Sequence, residues 1–250
     1  MVGKILLRGM LVGIVAGLLA FGFAKVAGEP QVDRAIAFED QLSQEKGETP
    51  EPELVSREVQ STIGLLTGVV VFGTGVGGLF ALVFAFAQGR VGHLRPRTIA
   101  ALLAGAAFLA VYLVPDLKYP ANPPSVGAPE TIGYRTGLYF FMVAFSIVAM
   151  GFAVTLGRRL APRFGGWNAS LIAGLAFVVV IGIVQAFLPD INEVPAEFPA
   201  VVLWQFRVAS LGIQAVLWGT MGLLFGFLTE RSLAHGQAKP GKPALAGHSA

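Results

Sequence analysis

Residues 133–156 read GYRTGLYFFMVAFSIVAMGFAVTL, a run in which Arg135 is the only charged side chain. A helix needs about 20 mostly apolar residues to cross the roughly 30 Å hydrocarbon core of a bilayer, and this run meets that length. Five further segments do so, at about 5–27, 61–87, 97–115, 168–188 and 203–229. Composition agrees: 54% of the 250 residues are hydrophobic and 13% charged, against roughly 25% charged in a typical soluble domain. The chain reads as an all-α integral membrane protein with six transmembrane helices.

Lys4 and Arg8 precede the first apolar run, as in a secretion signal. That run reaches about Ala24, however, and AKVAGEP beyond it offers no clean A-x-A cleavage site, so an uncleaved helix is expected. The net charge of +3 comes from short basic clusters beside apolar runs. Such clusters set topology rather than form a phosphate-binding face, so no nucleic-acid partner is expected beside the lipid bilayer.

With the N-terminus in the cytoplasm, Lys4 and Arg8, then Arg90, Arg95 and Arg97, then Arg158, Arg159 and Arg163, then Arg231, Lys239 and Lys242 all face inward. Every acid except Glu230 then faces outward. Lysine and arginine concentrate on the cytoplasmic side, so six spans with both termini cytoplasmic are predicted. Residues 1–230 form one transmembrane domain, residues 231–250 a flexible cytoplasmic tail, and residues 28–60 an acidic outer loop. Within that loop VDRAIAFEDQL (32–42) has the spacing of a short amphipathic helix, which KGETPEPE ends. Trp167, Trp204, Tyr112, Tyr119 and Tyr134 fall near span ends, where aromatic rings favour the headgroup level.

The connectors repeat. LVPDLKYPANPP (113–124) and FLPDINEVPAEFPA (187–200) both place Pro-Asp and then Pro-Ala after a span, followed by an arginine opening the next helix. Pro115 and Pro189 are 74 residues apart, Arg135 and Arg207 72. A weaker copy has Glu29-Pro30 and Arg57. Three helical hairpins of equal orientation are expected, as parallel repeats about an axis along the membrane normal. A proline after a span is by itself only a helix stop; the acid, Pro-Ala and arginine in register are not required for that.

GTGVGG (73–78) matches G-x-G-x-x-G, but the dinucleotide reading needs a preceding strand. Inside an apolar run, small residues four apart instead let membrane helices approach closely. Gly9, Gly13 and Gly17, Gly64 and Gly68, Gly73 and Gly77, and Gly222 and Gly226 share that spacing.

The candidate functional residues are the scarce polar ones. Asp116, Glu130, Asp190, Glu193 and Glu197, with Asn122 and Asn192, could gather divalent cations at an outer vestibule. Arg57, Arg135 and Arg207 either pair with acids or clamp an anionic substrate. Gln185, Gln205, Gln214 and Ser146 either line a path or bond between helices. His93, His235 and His248 all lie on the inner side, so no imidazole site for a borderline metal can form on the outer side from this chain alone. There is no cysteine, H-E-x-x-H or P-loop motif, and no histidine at membrane depth to serve Ser-His chemistry. A non-enzyme is expected, with no bound cofactor.

GEPQVDRAIAFED (28–40), LVPDLKYPANPPSVGAPETIGYRT (113–136) and LPDINEVPAEFPAVVLWQFRVASLGIQ (188–214) resemble the CbtA family of predicted cobalt transporter subunits. The resemblance implies a bacterial inner-membrane protein of cobalt uptake, linked to cobalamin biosynthesis, with cobalt(II) as the transported ion. It also implies a small single-span partner, CbtB-like, whose histidines would supply the imidazoles lacking here. Homo-oligomerisation is compatible with this reading. Members are described with five spans, whereas the charge pattern favours six. Two other functions fit the residues: a non-transporting membrane scaffold or receptor subunit, and a transporter of a corrinoid precursor.

Overall fold

A computed structural model describes residues 2–47, 55–92 and 94–237, with side chains described up to residue 234. No strand occurs among them, and five helical segments are long and apolar enough to cross a membrane. We label them α1 (Val2–Lys46), α2 (Arg57–Ala87), α3 (Pro96–Lys118), α4 (Ile132–Phe187) and α5 (Ala200–Gln237).

Six spans were expected, and the difference lies in α4. Its interior holds one non-helical residue, Gly165, at φ 76° and ψ 158°. That conformation is costly for any residue with a Cβ. The chain folds back there, and the two arms, 132–164 and 166–187, pack side by side. Met142 and Ala149 of the first meet Ile181 and Phe177 of the second, and a Cβ on Gly157 would stand 3.3 Å from that of Ala173. Two of the expected spans, 133–156 and 168–188, therefore sit on the two arms of one segment. The helix also runs on through Pro162, where a connector was expected.

α1 and α2 run antiparallel at backbone contact. A Cβ on Gly73 would lie 2.6 Å from the Gly13 carbonyl oxygen, and one on Gly17 2.9 Å from that of Val69. Gly9 and Gly77 are closer still. The GTGVGG stretch is thus a helix-packing surface. A looser version joins α5 to α3, where Gly226 sits over Arg97 and Ala100. The core uses small residues against a few large ones: Ala16 and Ala20 of α1, Phe80 and Phe84 of α2, Ala100 and Ala104 of α3, Met221 and Phe225 of α5. Phe225 meets both Phe80 and Phe84 edge-on, at centroid distances of 5.4 and 5.0 Å. The α4 arms flank this four-helix core through α3.

The segment 28–60 is less of a loop than its acids suggested. α1 passes through a π-helical turn at Ala24–Gly28 and continues helically to Lys46, where Gly47 (φ 69°) closes it in the left-handed conformation. Glutamate, glutamine and alanine form helices well, so the extension needs no membrane to persist. Its Ala35 and Phe38 pack against Val126, Phe198 and Val202 of the neighbouring connectors and α5. The rest of the expected loop includes residues 48–54, which lie outside the described residues. The same holds for residues 238–250 of the tail and for His93, and for the side chain of His235.

Further π turns occur at Gln60–Gly64 in α2 and at Phe108–Leu113 in α3, the latter preceding Pro115. In π register the carbonyl of Ala110 would look to residue 115 for a hydrogen, and proline has none. Ser146 of α4 donates to that carbonyl instead, and Gln185 donates to the carbonyl of Val114 at 2.9 Å. Both side chains, candidates for a path, thus complete the hydrogen bonding of a neighbouring helix.

Candidate functional site

The two ends of the bundle differ in charge. One collects Lys4, Arg8, Arg90, Arg95, Arg97 and Arg158; the other holds every described acid except Glu230. Glu230 instead lies 3.6 Å from Arg97 at the basic end.

At the acidic end each α4 and α5 arginine is held by the other hairpin's connector. Arg135, opening α4, lies 3.3 Å from Glu193 in the connector 188–199, and also donates to Thr131 and to the Ala128 carbonyl. Arg207 of α5 donates to Asn122 Oδ1 at 2.8 Å and to the Ala121 carbonyl at 3.3 Å, both in the connector 119–131. Lys118 pairs with Asp190, and the Tyr119 hydroxyl donates to the Pro189 carbonyl at 3.0 Å. Arg57 differs, because its partners are in its own hairpin: Glu29, and Asp33 at 2.9 Å.

Glu193 accepts from the Thr131 hydroxyl at 2.8 Å and the Ala128 N–H at 2.7 Å. These two hydrogen bonds, with Arg135 adding to them, hold its carboxyl below the usual carboxylate range. A depressed folded-state pKa adds stability that is present above the unfolded value and is lost as pH falls through the folded one. Glu193→Gln should therefore lower the melting temperature at pH 7, with the gap to wild type closing below about pH 4. An equal deficit at both pH values would show that the charge is not what holds the connector.

The other candidates are dispersed. Asp190 is largely exposed beyond its pairing with Lys118. Glu130 and Glu197 are exposed. Gln205 accepts from Arg34 of the α1 extension at 2.9 Å. Among the described residues no three His, Cys, Asp or Glu side chains come together in a metal-binding group. Asp116 alone faces an internal space, its Oδ1 accepting the Ala121 N–H at 3.1 Å.

That space is a cavity of about 330 Å³ lined by Asp116, Asn122, Arg135, Thr136, Tyr112 and Tyr139 among others. Beneath it lies an apolar cavity of about 540 Å³ between α2, α3, α4 and α5, reached by Gln214 and Trp218. Tyr112 and Tyr139 line both. Trp218 Nε1 is buried without a hydrogen-bond partner among the described residues, whereas the Tyr112 hydroxyl stands beside the Asp116 carboxylate and interacts with it. An unpaired buried polar group costs about 1–3 kcal/mol, so the indole N–H marks a place where a ligand or water gains a partner. Oxygen donors such as Asp116 and Asn122 suit a hard or hydrated divalent cation.

Tyr112, one of the aromatics near a span end, is 8% exposed, so its ring is turned into the bundle rather than out toward lipid. The signal was available: Tyr112 and Asp116 are four apart, hence on one helical face. Nothing in the sequence marked Tyr139 or Trp218. Trp167 and Trp204 are exposed, as interfacial rings would be.

A chain whose described residues are largely helical, with five membrane-length apolar segments and charges segregated to its ends, is a multi-pass membrane protein. Its residues 2–230 match the CbtA family, described as "probable cobalt transporter subunit", and the chain belongs to that family. The family is one of transporter subunits rather than enzymes, and the word subunit implies a partner in a complex. No curated protein and no solved structure matches the chain.

Proposed function

We propose that the chain is the membrane permease subunit of a cobalt uptake system in the bacterial inner membrane, serving cobalamin biosynthesis. The observation that carries this reading is the pair of stacked cavities joined at Tyr112 and Tyr139, with Asp116 in the polar one at the acidic end. Counting the two arms of α4 as separate crossings gives six spans in three hairpins. The positive-inside rule then puts the basic end and both termini in the cytoplasm. The acidic end faces outward, where it raises the local concentration of Co²⁺. Asp116 receives the ion, and the tyrosine pair separates outer from inner space. A small single-span, histidine-bearing partner supplies the imidazoles that a borderline metal prefers.

The corrinoid-precursor reading is less well supported. A cavity of about 330 Å³ is near the lower limit of small-molecule sites, about 300–1,000 Å³, and Arg135 and Arg207 already bond to protein groups. The scaffold reading has the α1 extension in its favour, since a charged helix at the acidic end is a surface for docking.

Uptake of radiolabelled cobalt by cells expressing the chain with and without the partner tests the proposal. Accumulation above empty cells, competed by excess Co²⁺ more strongly than by Mg²⁺, is expected when both are present. No accumulation in either case, with stable co-purification of a partner, would leave the scaffold reading in its place.

A further inference from the structure

Between α1 and α5, at the basic end, runs a groove of about 500 Å³ unconnected with the cavities above. Lys4, Arg8 and Arg231 stand around its mouth, and among the described residues no carboxylate side chain lines it. Arg8 is held there by a 3.1 Å hydrogen bond from Nη1 to the hydroxyl of Thr229, itself buried. Below the cations the surface turns apolar. Val12 forms the floor, and Leu7, Leu11 and Val15 of α1 face Leu228 of α5. Leu7 and Leu11 are more than half exposed, so packing within the chain leaves them uncovered.

The groove's depth identifies its occupant. Lys4 to Val15 spans about 16 Å at the helical rise of 1.5 Å per residue, close to half of the roughly 30 Å hydrocarbon core. Cations at one end and an apolar channel one leaflet deep match a phospholipid with an anionic headgroup and one acyl chain laid along the helices. The chain's own residues 238–250 are a poor alternative, because their charged side chains are Lys239 and Lys242, of the same sign as the rim. Basic pockets between membrane helices are where acidic lipids bind.

We propose that this groove is a binding site for an anionic phospholipid of the inner leaflet, its phosphate held by Lys4 and Arg8 and its acyl chain lying over Leu7, Leu11 and Val15. The site does not depend on cobalt uptake. It would make the α1–α5 contact sensitive to membrane composition.

The full chain, purified in neutral detergent, should be titrated with phosphatidylglycerol and phosphatidylcholine of identical acyl chains, with bound lipid read by native mass spectrometry. Wild type should prefer phosphatidylglycerol. Each basic side chain near an acidic lipid is worth about fivefold in affinity, so Lys4→Gln/Arg8→Gln should lose roughly 25-fold for phosphatidylglycerol and little for phosphatidylcholine. Arg158→Gln/Arg159→Gln, at the same end but outside the groove, should keep the preference. Leu11→Trp should reduce retention of both lipids; because Leu11 is exposed, that variant serves even if loss of the Arg8 bond unfolds the other. Equal binding of the two lipids by wild type overturns the proposal. So does an equal loss in the Arg158/Arg159 variant, or protection by inorganic phosphate matching that by lipid. A photoreactive side chain introduced at Leu11 that captures protein rather than lipid also overturns it.

Discussion

Gly13→Val should leave little folded protein. The Gly13 backbone lies against Gly73, and a Cβ on Gly73 would already stand 2.6 Å from the Gly13 carbonyl oxygen. Real Cβ atoms essentially never approach that closely, and the obstructing atoms are backbone, which cannot swing aside. α1 and α2 must therefore separate along their shared length, and the Gly9–Gly77 and Gly17–Val69 contacts would open with them. Overpacking a core costs about 1–3 kcal/mol where side chains can yield. Here they cannot, and a cost above about 4 kcal/mol is expected, in the range reserved for severe core defects. Monodisperse recovery in detergent and the melting temperature are the measurements. Gly75→Ala, on the same helix but with nothing within 4 Å of its Cβ, should be neutral or slightly stabilising, since alanine favours a helix by about 1 kcal/mol over glycine. Equal recovery of Gly13→Val and Gly75→Ala would mean that the helices do not meet at this seam.

Asp116→Asn should lower cobalt uptake at least about tenfold, equivalent to about 1.4 kcal/mol, at unchanged protein level. The amide keeps the shape of the carboxylate and its acceptor oxygen for the Ala121 N–H, so the connector should stay in place while the negative charge is gone. Asp190→Asn should do far less. Its carboxylate is exposed and lines no cavity, so its pairing with the largely covered Lys118 bears on how the two connectors hold together rather than on the polar cavity. Glu130→Gln and Glu197→Gln, both exposed, should be silent. Unchanged uptake in Asp116→Asn would remove the polar cavity from the pathway; equal losses in all four would point to bulk surface charge instead.

Sequence reading recovered the helices because hydrophobic length and charge clustering are local properties. The segment 133–156 is apolar whatever it packs against. The glycine spacing was readable in part: Gly9, Gly13, Gly17, Gly73, Gly77, Gly222 and Gly226 meet a neighbouring helix. Gly64 and Gly68 share the spacing and meet none, because spacing does not say which face finds a partner. The turn between the α4 arms was harder. GRRLAPR has the basic and proline content of a connector, yet the reversal falls at Gly165, beyond Pro162, because the left-handed backbone needs a glycine and the proline does not. The acidic extension of α1 was underestimated for a similar reason: acids mark water, not loop. The site was the least readable part. Asp116 and Asp190 hold equivalent places in the two connectors, and their surroundings alone distinguish them, one lining a cavity and the other exposed beside Lys118. Which carboxylate lines a cavity depends on how separate hairpins meet, and no local pattern encodes that.

The crossed arginines restrict how the protein can move. Arg135 is tethered to the connector leading into α5, and Arg207 to the connector leading into α4. Withdrawing either hairpin from the other thus breaks both tethers together, as two hands gripping each other's wrists let go only jointly. α1 and α2 form another unit, locked by glycine contacts and by Arg57 on Glu29 and Asp33. The α1 extension bears on the same connectors and on α5 through Ala35, Phe38 and Arg34, so the outer face of the bundle should travel as one plate.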